Sequence, residues 1–365
     1  MDVLNALVLF ANFVLIPATA YGAQLALGAL GVTLIYAVLR FSNFAHGDMM
    51  ALGTMGVILT TWWLQGLGVS LGPLPTALLA LPAGIVVAVI LGTWGLQSLG
   101  VSIAPLPTAL IALPLGIVGA ILLALLTDRW VYRFHRRIRS APVIFVMASV
   151  GVMYVYNALT RFVIGTDEQR FEDGARFVIR VPEFKAMTGL AEGLAIRTPQ
   201  LVTLVVMILT TAFVFWFLQK TRTGKAMRAY SDNEDLALLS GISPDRVVRI
   251  TWILATALAV IAGTLYGLDK SFRPFTYFQL LLPIFASAIV GGIGQPIGAV
   301  AGGFVVAYSE VMLTYAYKGV LTYLGFQPEG LVQMLGTDYK FAISFIILVV
   351  VLLIRPTGIF RGRTI

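Results

Sequence analysis

The sequence predicts an all-α membrane protein, a polytopic bundle of about eight to ten membrane segments. Three observations carry that prediction. Apolar residues make up 59% of the 365 positions and charged ones 12%, against about 25% charged in a typical soluble domain. Before Asp128 the only charged side chains are Asp2, Arg40 and Asp48, so the stretch Met49–Thr127 has no charge with which to face water. The net charge of +8 is concentrated in arginine and lysine groups at the ends of apolar runs, the distribution expected of cytoplasmic loops. No basic stripe interleaved with aromatics is present, which argues against nucleic acid as a partner. The cysteine count is zero, which removes disulfides, thiol chemistry and Cys-based metal sites.

The first apolar run, Ala6–Leu39, is too long for one upright crossing and marginal for two. Pro17 is expected to bend it, and the small residues from Ala18 to Gly31 to admit neighbouring backbones. Ala18-Thr19-Ala20 has the form of a cleavage site, but the charged leader is missing after Met1-Asp2-Val3, so the run is read as a retained helix. A polar break from Arg40 to Asp48 precedes a span near Met49–Leu64. Two more apolar segments lie near Pro73–Leu91 and Pro105–Leu126. Trp62, Trp63 and Trp94 read as interface anchors. Arg129, Arg133, Arg136, Arg137 and Arg139 then mark an inside loop.

A span near Val143–Phe162 leads to a loop at 166–199 of balanced charge, placed outside. Leu201–Leu218 returns to a second basic loop, 220–249. Further spans follow near Ile250–Leu268, Leu280–Val290, Ala299–Tyr317 and Phe341–Ile354, and Arg355, Arg361 and Arg363 place the C-terminus inside. Within 64–122, Leu64–Ile90 and Leu96–Leu122 match at 19 of 27 positions, a local tandem duplication. A second full crossing there would reverse everything before it relative to the arginine cluster. The sequence leaves open whether the extra copy crosses or is re-entrant. The whole chain, 1–365, is read as one transmembrane domain.

The second basic loop is the most informative segment. Ser231-Asp232-Asn233-Glu234 has the form of a capping box, with Ser231 as N-cap. The helix it opens would run through Leu236, Ala237, Leu238 and Leu239 and stop at Gly241, whose missing Cβ permits a left-handed cap. Ser243-Pro244 would start the next helix. A capped amphipathic helix at a membrane face serves equally well as a plain surface helix or as a docking element.

Four segments resemble one family. Gly224–Ala229, with Asp235–Ile242 and Asp245-Arg246-Val247, is similar to the coupling loop of ABC-importer permeases, specifically the branched-chain amino acid permeases of the LivH type. Leu34-Ile35-Tyr36 with Asn43–Asp48 resembles the N-terminal signature of that family. Gly291–Gly294 with Pro296, Gly298, Gly302, Gly303 and Glu310 resembles its glycine-rich segment, and Arg355–Phe360 its ending. The duplicated segment departs from the family, which has one copy there.

The resemblance implies a permease subunit that moves a hydrophobic amino acid such as leucine, isoleucine or valine across the inner membrane. Related permeases carry urea or short amides, and no motif here excludes them. It implies a second permease subunit of the LivM type, two cytoplasmic ABC ATPases and an extracytoplasmic solute-binding protein as partners, besides lipid. ATP and Mg would be bound by the ATPases, since the chain lacks a Gly-x-x-x-x-Gly-Lys-Ser/Thr loop. Ala229, Glu234, Leu236, Leu238, Leu239, Gly241 and Ile242 then become the coupling-loop candidates.

Asn43, His46, Asp48, Gly291, Gly294 and Glu310 are the candidates for the translocation path. Each also has a plain structural reading. His46 and Asp48 would bond each other in a satisfied turn. Gly294, Gly298 and Gly302, four apart, would lay a smooth packing face. Glu310 would sit near a membrane face or pair with a partner subunit. An ion-coupled transporter is the rival, with only Asp48, Glu310 and Asp269 available to couple an ion. A membrane enzyme would need a nucleophile–base or metal constellation, and two histidines, His46 and His135, without cysteine supply none.

Overall fold

The computed structural model describes residues 2–67, 109–171, 177–326, 329–330, 332–336, 339–355 and 357–360. Most of the tandem duplication and Trp94 lie outside the described residues. The described residues form helices, with one short antiparallel pair among them, β1 (Phe177–Ile179) and β2 (Ile196–Arg197). Seven of the described helical segments are long and apolar enough to cross a membrane. A buried 21-residue helix, α3 (His46–Gly66), and a 15-residue apolar one, α15 (Lys340–Ile354), stand beside them.

The first run is a single helical stretch of 38 residues, Asp2–Leu39. At 1.5 Å per residue it extends about 57 Å, nearly twice the hydrocarbon thickness. It is one continuous helical run and not two helices joined by a loop. A π-helical turn, Ala11–Leu15, separates α1 (Asp2–Phe10) from α2 (Ile16–Leu39), with the Ile16 N–H donating to the Ala11 carbonyl and Pro17 in the first turn of α2. From Ala20 to Ile35 every residue of α2 is buried. A helix apolar on all sides belongs in a core, and its neighbours are α8 (Thr198–Lys220), α11 (Pro244–Asp269), α12 (Pro274–Gly291) and α13 (Pro296–Thr314). On the other side α3 packs against α11, α4 (Ala109–Thr127) and α6 (Pro142–Ile164).

One end of the bundle carries the arginine groups. A π turn, Asp128–Tyr132, and α5 (Arg133–Arg137) follow α4. α9 (Arg222–Asp232) and α10 (Glu234–Leu239) fill the second basic loop. Asp128 accepts both Arg136 nitrogens, at 2.6 and 2.9 Å, and the indole N–H of Trp252 at 2.7 Å, tying the first cluster to α11. The exposed pair Arg133–Asp245 spans the same end at 3.2 Å.

The opposite end is a polar cap. The 166–199 segment contains α7 (Val181–Thr188) and is fastened to the N-terminal helix. Asn5 accepts the Glu192 N–H, and Asn12 the Ala195 N–H, both at 3.1 Å. Glu192 accepts the Tyr323 hydroxyl of α14 (Lys318–Tyr323) at 2.8 Å. Glu168 receives Arg170 at 2.8 Å and Arg273 at 2.5 Å. Arg170, followed by Ser271 and Arg273, holds that carboxyl below the usual carboxylate range.

Candidate functional site

The basic-end loop is built by two caps and two glycines. Thr221 starts α9 by accepting the Gly224 N–H at 3.0 Å. A Cβ on Gly224 would stand 2.1 Å from the Phe217 carbonyl, so only glycine allows the chain to fold back this tightly on α8. The cap of α10 differs from the sequence expectation. Ser231 lies inside α9, which runs on to Asp232, and the N-cap is Asn233, whose side chain accepts the Leu236 N–H at 3.1 Å. Asn233 is extended (φ −151°, ψ 109°), so the break falls two residues later than the Ser-x-x-Glu pattern places it. The Glu234 carboxylate is used otherwise, accepting the Tyr230 hydroxyl at 2.5 Å. Burial, and then that bond, push the Tyr230 hydroxyl well above its ordinary range.

α10 ends as expected, with Gly241 in the left-handed region at φ +80°. Pro244 stands in the first turn of α11, but Ser243 makes no side-chain cap bond. Six residues are too few for a helix to hold by itself; here the cap, Tyr230 and the buried Ala237 hold it. The outcome is unusual for a leucine-rich turn. Leu236, Leu238 and Leu239 are 60%, 42% and 85% exposed. Burial of a leucine is worth about 1.5–3 kcal/mol, so these three leave several kcal/mol unused. Ala229 is exposed and Ile242 half-buried at the edges of the same loop. The Arg40 guanidinium, left-handed at φ 58° where α2 ends, donates to the Ser231 carbonyl and joins the loop to the central helix.

The Asn43–Asp48 break is a turn closed by its own backbone and Asn43, not by the expected pair, and one Asp48 oxygen is buried without a hydrogen bond. Asn43 accepts the Ala45 N–H at 3.2 Å with its side chain and the His46 N–H at 3.2 Å with its carbonyl, and Phe44 N–H donates to Ser149 at 3.1 Å. His46 and Asp48 do not bond each other. His46 packs on α2, where a Cβ at Gly31 would lie 2.8 Å from its ring. Asp48 accepts from Asn157 at 2.6 Å. Asn157 escaped the sequence reading; its signal is an isolated amide in the apolar run Val143–Phe162.

Glycines 298 and 302 do form a packing face, directed at α12. A Cβ on Gly302 would fall 2.0 Å from the Ser287 carbonyl, and one on Gly291 1.9 Å from the Gly298 carbonyl. Gly294 is not part of that stripe, because it sits in the turn before α13 with φ +83°. The carbonyls freed where α12 ends are taken up by the C-terminal segment: Ile359 and Phe360 N–H donate to Val290 and Gly291 at 2.8 and 3.2 Å. Glu310 is fully buried inside the chain, not turned to another subunit. It accepts from Ser344 and lies 3.8 Å from the Lys340 ammonium, which also stacks 3.7 Å above the Tyr21 ring. Thus the path candidates do not meet in one site: 43–48 packs between α2 and α6, Gly291 and Gly294 mark the α12–α13 turn, and Glu310 bonds to α15.

Comparison with known proteins gives these features a family. A family model described as "Branched-chain amino acid transport system / permease component" matches residues 93–352. The chain belongs to this family. The "Probable branched-chain amino acid transport permease protein LivH" of Methanocaldococcus jannaschii is 30% identical over 348 residues, 94% of this chain and 90% of that protein. The "High-affinity branched-chain amino acid transport system permease protein LivH" of Escherichia coli is 27% identical over 344 residues, 93% and 91% of the two chains. The corresponding BraD protein of Pseudomonas aeruginosa is 24% identical over 341 residues, 93% and 92% of the two. A solved structure titled "PsaBC from Streptococcus pneumoniae in complex with Fab" covers 94% of this chain and 91% of its own at a TM-score of 0.43 and 12% identity, and nothing here rests on it. The chain is thus a multi-pass membrane permease of an ABC transport system.

Proposed function

We propose that this chain is the solute-conducting subunit of an importer of branched-chain, hydrophobic amino acids, driven from its basic end by separate ATPases. The names of the relatives support the solute class. The arginine groups support placing the basic end and the C-terminus in the cytoplasm. A second permease subunit and an extracytoplasmic solute-binding protein complete the assembly, the latter meeting the polar cap at 166–199.

The observation that carries this reading is α10: a doubly capped helix that holds three leucines exposed at the basic end. Such a surface is stable in an isolated chain only at a cost that a docked partner removes. ATP-driven closure of the ATPases would push on Glu234–Gly241. Through the Arg40–Ser231 bond and the α8–α9 turn that push reaches α2 and α8, a rigid-body change that alternates access.

The test is uptake by membrane vesicles carrying the whole transporter. Gly241→Val, or Glu234→Ala with Leu238→Ala, is expected to abolish ATP-coupled uptake of leucine while the chain still inserts. Normal uptake by both variants at wild-type protein level contradicts the docking role. Uptake of urea in place of leucine contradicts the solute class, and uptake that survives ATP depletion but collapses with a proton uncoupler contradicts ATP coupling.

A further inference from the structure

A cleft of about 200 Å³ lies at the basic end, between the last turn of α2, α9 and the α12–α13 turn. We propose that it binds an apolar α-amino acid, the transported solute itself, from the basic side, and that occupancy slows import. The proposal rests on the function proposed above for the identity of the solute and the side of the membrane.

Size comes first. The cleft falls below the roughly 300 Å³ at which drug-sized sites begin, a size that suits a molecule such as leucine better than a nucleotide. Its floor is apolar: Leu34, Val38, Leu218 and Met227 are all buried, with Ile293 half-buried beside them. Its rim carries both signs of charge. Arg228 and Asp232 stand one helical turn apart on the same side of α9, with the Gln295 amide on the facing turn and Arg40, bonded to the Ser231 carbonyl, also in the lining. A guanidinium suits a carboxylate and a carboxylate suits an ammonium. The backbone adds to this order, since the cleft reaches from the carbonyl end of α2 to the N–H end of α13.

Location gives the effect its sign. α9 leads directly into α10, while α2 and the α12–α13 turn belong to the membrane body. A ligand seated between them binds the arrangement seen here and resists any movement of α9 away from α2. Binding to one of two states shifts the population toward that state, so solute accumulated inside restrains the stroke that imports more.

The experiment uses the complete transporter. Equilibrium binding of radiolabelled leucine to the purified complex, without the solute-binding protein, is expected to saturate. Arg228→Gln, which removes the carboxylate partner, and Ala37→Phe, which fills the cleft, should each weaken binding at least tenfold. In proteoliposomes loaded with unlabelled leucine, uptake should be slowed severalfold for the wild type and not for Ala37→Phe. No saturable binding, or binding equally tight in both variants, overturns the site. Normal leucine uptake with no inner binding overturns this site alone; absence of any leucine uptake overturns the proposed function with it.

Discussion

Polarity is inverted in two regions of the molecule, and in opposite senses. At α10, three leucines are exposed on a helix of six residues. At 43–48 and 310, an amide, an imidazole and two carboxylates are enclosed in an apolar interior. The interior groups are answered only in part within the chain: Asn43 by backbone N–H groups, one Asp48 oxygen by Asn157 and one Glu310 oxygen by Ser344, with Lys340 3.8 Å from the other, while the second Asp48 oxygen has no hydrogen bond. The leucines are not answered at all. The enclosed polar groups find part of their partners within the chain, whereas the exposed leucines of α10 are the surface proposed above to bind a partner.

That contrast predicts a graded series of effects. The largest belongs to the buried ion pair. Lys340→Met leaves the fully buried Glu310 without its cation and should lower stability by about 3–5 kcal/mol. Lys340→Met with Glu310→Gln should recover most of that loss in a thermal melt of the detergent-purified protein. Equal losses for the single and double variants would make Glu310 something other than half of a structural pair. Next is Gly302→Val, which drives a side chain into the Ser287 carbonyl and should cost about 1–3 kcal/mol; an unchanged melting temperature would show that α12 and α13 can separate freely. Smallest in stability is Asn233→Ala, which removes one cap worth about 1 kcal/mol. It should leave the global melt almost unmoved and reduce ATP-coupled uptake severalfold. If uptake is unaffected, the geometry of α10 does not matter to coupling.

Legibility in the sequence followed the same division. Helices such as Thr198–Lys220 and Pro244–Asp269 were readable because a long apolar run has one solution in lipid. The stop of α10 at Gly241 was readable because a left-handed residue favours glycine. The start was not: Ser231 and Asn233 are both good caps, and α9 runs on through Ser231 to Asp232 before the chain turns extended at Asn233. Side-chain partners were the least legible. Asp48 lies 109 positions from Asn157, and Glu310 lies 34 from Ser344, separations that only the packing of α3 on α6 and of α13 on α15 brings together. Local pattern proposed His46 for Asp48 because it is close in sequence, yet the helix turns that ring toward Gly31.

The central claim is that the exposed leucines of α10 are the surface an ATPase subunit occupies. With no native cysteine in the chain, a single introduced thiol reports cleanly. Leu239→Cys on α10 and Met187→Cys on the polar cap replace residues of nearly equal exposure, 85% and 86%. Each is labelled with a photoactivatable benzophenone maleimide in the assembled transporter, then illuminated, and the adducts are identified by mass. The account predicts an ATPase adduct from position 239 and none from position 187. An ATPase adduct from both positions, or from neither while a solute-binding protein or lipid is captured at 239, would contradict it.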